Sequence, residues 1–343
     1  MGHPKAAKWL EISTTSSEAL LSEYATLRQL ASSLSSTTQF PSMISFIGED
    51  FKHKLIKLLL GDQSIDCQVT SGVYLYQDPG SGSSEAPLFY AECNLERPDL
   101  LPDHEAPFRR PLLWCSPDMT RREIVAQVYS RIIAPFSDIM CYVIEGSDNI
   151  TTSYQQLVSL ISSCKSAVVP GVLPRTIVLC NQSEAFSEEQ LERYFFEKLI
   201  SEYPEDRTLL CSLRERVSFI LLPKGSHTDT KGFQRLRMTI SRELGKAREE
   251  RDFSRTLFNS QNFLFLMEVV HKHFALTISQ PADLIRATSI HRPAPTFLQA
   301  NISELLKHVP RCDQMIDFAA PVVASSLVLN YCTQGVHSTL IHL

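Results

Sequence analysis

A glycine and a lysine, six positions apart in the sequence, give the clearest indication of chemistry. They are Gly48 and Lys54 in the segment GEDFKHKL, which follows the apolar run MISFI and precedes LIKLLLG. A strand that ends in a glycine turn and continues into a helix can bind phosphate, because backbone N–H groups point at the anion. The lysine would reach the outer phosphates. The spacing therefore predicts a phosphate-binding turn related to the P-loop pattern G-x-x-x-x-G-K-[ST].

Several residues in this segment depart from that pattern. His53 replaces the second glycine and crowds the path that brings the backbone close to phosphate. Leu55 replaces the hydroxyl that would hold magnesium, and Glu49 and Asp50 would repel a triphosphate at close range. We therefore expect nucleotide binding to be weak or absent. A simpler interpretation stays open, in which Gly48 only ends a strand and the lysine is an exposed helix residue.

Four segments of the chain, taken in order, extend the pattern. They read ISFIGEDFKHKLIKLL, VTSGVYLYQDP, LFYAECNLE and TIVLCNQSE. Together they resemble the first four motifs of GTPase-like domains in large fungal proteins, where such a domain often precedes a patatin-like phospholipase module. The resemblance covers residues 41–225 and implies a P-loop GTPase-like fold.

The resemblance implies further candidate cofactor-binding residues for GTP and Mg²⁺. Thr70 lies near the threonine that coordinates magnesium in such folds, and Glu92 replaces the aspartate of D-x-x-G. Leu95 replaces the glycine of that motif, which argues against a switch that senses the γ-phosphate. No water-orienting glutamine follows AECNL, so hydrolysis is not expected. From the residues alone, Glu92 could equally be a solvent-facing charge at a strand end.

The base-reading motif N-K-x-D would fall on residues 181–184. Asn181 is kept, Gln182 replaces the lysine, and Glu184 replaces the aspartate that accepts the guanine hydrogen bonds. Guanine selectivity is therefore not implied. Asn-Gln-Ser after a strand is also ordinary loop chemistry, and that interpretation stays open. The candidate cofactor-binding set is thus Gly48, Lys54, Thr70, Glu92, Asn181 and Glu184, with no catalytic residue and no metal ligand assigned.

Apolar runs that alternate with amphipathic stretches predict an α/β fold, a three-layer and mainly parallel P-loop NTPase-like sheet with a C-terminal helical extension. Strands are predicted at 43–47, 69–76, 88–93, 139–144, 176–179 and 217–222. Helices are predicted between them at 50–60, 121–134, 153–166 and 188–202. Residues 77–85 are expected to form a loop, and residues 95–118, which are rich in proline, show no clear period.

The same patterns predict three segments. Residues 1–40 form an N-terminal helix, at 17–33, and a linker; residues 41–228 form the GTPase-like domain; residues 229–343 form the helical extension. Within the extension, helices are predicted at 232–251, 258–274 and 316–331. The last is too apolar to stand free in water, so we expect burial against the preceding helices.

Composition limits the classes of function. The chain has 343 residues and a formal charge of −5, which gives no basic field for nucleic acid. Nine cysteines are scattered without a C-x-x-C pair, as in proteins of reducing compartments. No secretory signal or membrane-spanning run is evident, so we predict a cytoplasmic protein without an integral membrane segment.

Three hypotheses of function follow. The first is a degenerate GTPase-like domain acting as a non-catalytic interaction or regulatory module, for an unidentified protein partner or a downstream catalytic domain. The second is an active GTP- or ATP-binding NTPase with an atypical P-loop. The third is a helical adaptor on an α/β scaffold, with the residues after 229 as the working surface.

Overall fold

The computed structural model describes twelve main stretches of the chain and a few isolated residues outside them. These stretches are 7–14, 19–25, 38–61, 70–96 apart from 83, 108–113, 119–145, 157–158, 173–182, 187–202, 213–223, 230–253 and, after a short gap, 257–278. The predicted helix at 153–166 lies outside them except for Leu157 and Val158. The predicted helix at 316–331 lies wholly outside these stretches, and only 321 and 323–325 are among the isolated residues described.

Within these stretches, nine strands form a single mixed sheet in the order β6-β2-β1-β4-β5-β3-β7-β8-β9. Their bounds are Ala7–Thr14 (β1), Ala19–Glu23 (β2), Ser42–Gly48 (β3), Gly72–Gln77 (β4), Leu88–Asn94 (β5), Phe108–Pro111 (β6), Ile139–Glu145 (β7), Arg175–Gln182 (β8) and Val217–Pro223 (β9). All six predicted strands are present, and the α/β class is confirmed.

The direction of the strands corrects one part of the prediction. Strands β5, β3, β7, β8 and β9 are parallel, whereas the pairings β4–β5, β1–β4, β1–β2 and β2–β6 are antiparallel. The sheet is therefore mixed, and the expectation of a mainly parallel sheet holds only for the part formed by β5, β3, β7, β8 and β9. The reason is that the N-terminal strands and β6 extend the sheet beyond β4 by antiparallel pairing.

Two other corrections concern this extension. The helix predicted at 17–33 is wrong over Ala19–Glu23, which form β2 and pair with β1 from Leu10–Glu23 to Thr14–Ala19. Strand β6 lies inside residues 95–118, where the sequence shows no clear periodicity of apolar residues, and its side chains are largely exposed. Whether residues 1–40 are a separate segment stays a prediction, but β1 and β2 belong to the common sheet.

Helices cover both faces of the sheet. Their bounds are Phe51–Leu60 (α1), Arg121–Val128 (α2), Glu188–Glu202 (α3), Thr230–Phe253 (α4) and Ser260–Leu276 (α5), and α2 continues through a π-helical turn at Tyr129–Ile133. Helices α1 and α4 pack on one face with side chains from β3, β7 and β8. Helices α2, α3 and α5 pack on the other face. The sheet is thus the middle of three layers.

The central strands are buried on both faces, which explains their continuous apolar sequences. Every residue of β3 before Gly48 is buried, and β7 is buried from Ile139 to Ile144. Ile44 and Phe46 face α1, whereas Met43 and Ile47 face the layer of α2, α3 and α5. This alternation fixes which side chains of β3 point towards the face of the sheet on which α1 packs.

Buried ion pairs attach α4 to the sheet. Arg175 of β8 contacts Glu243 at 2.5 Å and Glu250 at 2.6 Å. Arg251 near the end of the helix contacts Asp138, just before β7, at 2.6 Å. Because these charges are paired inside the protein, α4 is an integral part of the outer layer rather than a loosely attached helix.

Candidate functional site

The carboxyl ends of five parallel strands meet at one edge of the sheet. The chain leaves β3 for β5 on one side and later passes to β7 on the other, so β3 lies where the strand order reverses. Open α/β sheets bind ligands in the crevice at such a point. Gly48 ends β3 here, Glu92 lies two residues before the end of β5, and Asn181 lies one residue before the end of β8.

The turn from β3 to α1 is short and tightly held. Only Glu49 and Asp50 separate Gly48 from the first residue of α1, and the N–H of Glu49 donates to the carbonyl of Val143 at 3.0 Å. Gly48 has φ +102°, and a Cβ atom at this position would lie 2.2 Å from the same carbonyl oxygen. Glycine is therefore required both by the backbone conformation and by the close approach of β7.

The interior of this turn is filled by Lys52, a residue that the sequence pattern did not single out. Its ammonium donates to the carbonyl of Gly48 at 2.5 Å and to that of Glu49 at 3.5 Å. The residue is only 2% exposed. Burial lowers the pKa of Lys52, while the carboxylates of Glu96 and Glu92 oppose that shift.

A signal for Lys52 exists in the sequence. It occupies the first position of the buried stripe of α1, followed at helical spacing by Leu55, Ile56 and Leu59. The predicted lysine, Lys54, is half-buried on the same helix. The sequence also predicted crowding of the turn by His53, whereas the side chain inside it is Lys52.

Glu92 is a buried carboxylate held by three donors. It accepts hydrogen bonds from His53 Nδ1 at 2.9 Å, from the Tyr76 hydroxyl at 2.8 Å and from Asn94 Nδ2 at 3.2 Å. Burial alone would raise the pKa of Glu92, but these bonds and the charge of His53 hold it below its usual value. The solvent-facing interpretation of Glu92 is wrong, because the residue is 1% exposed.

The remaining candidates lie at different distances from this turn in the fold. Thr70 precedes β4, and its hydroxyl forms a hydrogen bond with the hydroxyl of Tyr74. Tyr74 lies opposite Glu92 in the pairing of β4 with β5. Asn181 is buried near the end of β8, two strands away from β3, and pairs in register with Glu145 of β7. Glu184 lies outside the described residues. The roles of these residues in binding a nucleotide stay predictions.

Acidic residues surround the turn. Glu49 and Asp50 are exposed, whereas Glu96, although exposed as a residue, has its carboxyl partly withdrawn from water, and this burial raises the pKa of Glu96. The carboxylate of Glu96 accepts a 2.8 Å hydrogen bond from the hydroxyl of buried Tyr129, which fixes its position. The edge of the sheet at β3 and β5 therefore presents negative charge around a buried ammonium.

A groove of about 400 Å³ lies on the outer face of α3. Arg214 lies over the ring of Phe196, 5.8 Å from its centroid, and half-exposed Ile200 adds an apolar wall. Three carboxylates and a second guanidinium complete the lining, from Glu189, Glu192, Glu197 and Arg193. These side chains offer charge and apolar contact but no nucleophile.

Comparison with known proteins adds no family assignment: no protein-family model matches the chain, and no curated protein matches it either. Within the described stretches, no group of three or more His, Cys, Asp or Glu side chains could hold a metal ion. The helices of those stretches include none that is both long and apolar enough to cross a membrane.

Proposed function

We propose that this chain is a degenerate P-loop GTPase-like domain that acts as a non-catalytic interaction or regulatory module and binds nucleotide weakly or not at all. The proposal is supported by the central strand β3, its glycine turn and the following helix α1, which occur in the order that a P-loop requires. It is also supported by the position of β3 where the strand order reverses.

One observation carries the non-binding part of the proposal: an ammonium group lies where a phosphate would need to be wrapped. A P-loop turns backbone N–H groups towards the anion. Here the carbonyls of Gly48 and Glu49 face inward and accept from Lys52, and the N–H of Glu49 is bonded to β7. A phosphate would meet carbonyl oxygens unless the turn were rebuilt.

The start of α1 supports the same conclusion. The helix begins at Phe51, only three positions after Gly48, so little chain remains to curl around a triphosphate. Exposed Glu49 and Asp50 add charge of the same sign as phosphate. For Glu92 to reach magnesium, it would have to give up hydrogen bonds that it already accepts.

The adaptor hypothesis concerns α4 and the residues after it. Since Arg175, Glu243 and Glu250 tie α4 to β8 inside the protein, we expect that helix to be required for folding. Deleting the residues after 229 tests this point. Loss of the cooperative unfolding transition is expected, whereas an intact transition would favour the adaptor hypothesis.

Isothermal titration calorimetry with GTP and with ATP, each with and without Mg²⁺, tests the main proposal. We expect no saturable heat up to millimolar nucleotide in the wild-type protein. Lys54→Ala is the informative variant, and Lys57→Ala, three residues further along the same helix, is its matched control. Micromolar binding that disappears in Lys54→Ala but persists in Lys57→Ala would overturn the proposal in favour of an atypical NTPase.

A further inference from the structure

Among the lysines of the described stretches, Lys52 alone is buried. Lysine is almost never fully buried unless its charge is compensated. Its aliphatic stem follows the apolar stripe of α1, and its ammonium turns back over the first turn of the helix. The side chain therefore places a charge in the interior of the turn between β3 and α1.

The position is unfavourable for a cation in one respect. The N-terminal turn of a helix carries partial positive charge, which favours anions there. Compensation comes from the carbonyl oxygens of Gly48 and Glu49, and from the negative charges of Glu96, Glu92 and Asp50. The surroundings of this turn are therefore those of a cation site, at a place where helix geometry alone would favour an anion.

The acceptors of this site are held in place independently of Lys52. The carbonyl of Gly48 is positioned by the tight approach of β3 to Val143. Glu92 is fixed by His53 and Tyr76, and these contacts do not involve the lysine. We call the carbonyl oxygens of Gly48 and Glu49 the ammonium cage, on which the negative charges of Glu96 and Glu92 act electrostatically.

We propose that the ammonium cage is a binding site for a primary ammonium group, which Lys52 fills within the same chain. When the lysine side chain is truncated, a small primary alkylammonium ion takes its place. A primary ammonium suits the site because its N–H groups can donate to the two carbonyls that now accept from Lys52, and its charge is compensated by the nearby negative charges. This inference rests on the proposed function in one respect, namely that no nucleotide occupies the turn.

The test compares Lys52→Ala with the wild-type protein and with Lys57→Ala in urea unfolding. Each protein is measured in ethylammonium chloride, and in tetramethylammonium chloride and sodium chloride at equal ionic strength. We expect Lys52→Ala to lose stability and ethylammonium to restore part of it saturably. At ten times the dissociation constant the ratio of folded to unfolded Lys52→Ala should rise about 11-fold. The wild-type protein and Lys57→Ala should not show this rise.

Lys52→Met provides a second variant, because its apolar side chain fills the space of the stem and leaves no room for an added ion. Its stability should not respond to ethylammonium. If Lys52→Ala does not fold alone, its refolding yield from urea is measured with and without ethylammonium. An unchanged yield would then overturn the proposal.

Three other results would overturn it: full stability of Lys52→Ala, an equal effect of tetramethylammonium, or an equal effect of ethylammonium on the wild-type protein. A GTP titration of the same samples separates the two proposals. GTP binding by the wild-type protein would refute the proposed function. It would not account for stabilisation of Lys52→Ala by ethylammonium, so that result would still support the ammonium cage. A silent GTP titration with no ethylammonium effect would refute the ammonium cage alone.

Discussion

Replacing Gly48 by alanine tests the geometry of the turn most directly. The new Cβ atom would lie 2.2 Å from the carbonyl oxygen of Val143, a backbone atom that cannot rotate away. Relief requires this separation to open beyond 3.0 Å. That movement would break the hydrogen bond from Glu49 to Val143 and disturb the last pair of β3 with β7.

The magnitude has two parts. Holding an L-residue at φ +102° costs about 1–3 kcal/mol, and forcing an extra carbon into a closely packed region costs a further 1–3 kcal/mol or so. We therefore expect Gly48→Ala to lower the free energy of unfolding by about 2–6 kcal/mol, a large share of the stability of a typical domain. Urea unfolding followed by circular dichroism measures this difference.

Two other glycines provide matched controls. Gly61 ends α1 at φ +70° with open space around its missing Cβ, so Gly61→Ala should cost only the left-handed strain of about 1–2 kcal/mol. Gly245 lies in the interior of α4, also in open space, and Gly245→Ala should stabilise by about 0.5–1 kcal/mol. If Gly48→Ala is no more costly than Gly61→Ala, the tight approach of β3 to β7 is refuted.

Three further predictions follow from buried polar groups. Glu92→Gln should destabilise by about 1–3 kcal/mol at pH 7, because a carboxylate with three donors is lost. The folded-state pKa of Glu92 is lowered from 4.5, so its contribution to the free energy of unfolding is present above pH 4.5 and is lost as pH falls through the folded-state pKa. The stabilities of the wild-type protein and the variant should therefore converge in acid. A difference in stability that stays constant with pH would contradict this. Arg175→Met should cost about 1–3 kcal/mol in urea unfolding, because one oxygen of buried Glu243 loses its partner while Arg242 and Lys246 still pair with the other. A neutral result would mean that the bond from Arg175 is dispensable. Burial raises the thiol pKa of Cys93, Cys141 and Cys180, in the case of Cys180 to about 12. Iodoacetamide at pH 8 should therefore modify these cysteines only in urea. Rapid labelling of the native protein would contradict their burial.

The central strands could be predicted because burial on both faces leaves a continuous apolar run in the sequence. MISFI and IMCYVI are such runs, and both became strands at the expected places. The last two strands at one side of the sheet, β2 and β6, were harder to predict. Ala19–Glu23 has apolar residues at a spacing that a short buried strand and a helix share, so the pattern could not separate them.

Strand β6 illustrates a different limit. Its sequence, Phe108–Pro111, contains two arginines and a proline, and it exists as a strand because it pairs with β2. Partners distant in sequence are not encoded in local periodicity. The direction of the added strands, and with it the mixed character of the sheet, depends on such pairings.

The sequence predicts where the candidate site lies, but not which side chain occupies it. Gly48 marks the turn because no other residue fits its conformation, and a motif search finds glycines of this kind. Which lysine fills the turn depends on how early α1 begins. The P-loop pattern places the helix later and selects Lys54, whereas a helix that starts at Phe51 turns Lys52 inward.

Arg248 of α4 closes the start of β3 by donating to the carbonyl of Phe40 and the hydroxyl of Ser42, across 208 positions of the chain. During synthesis at about 5–20 residues per second, roughly 10–40 s separate the emergence of β3 from that of its cap. In the later part of this interval, β7 and β8 have left the ribosome without α4, the helix that packs on them. Contacts so distant in sequence also slow folding in solution. The nascent chain is thus expected to depend on chaperones that shield β7 and β8 until α4 arrives.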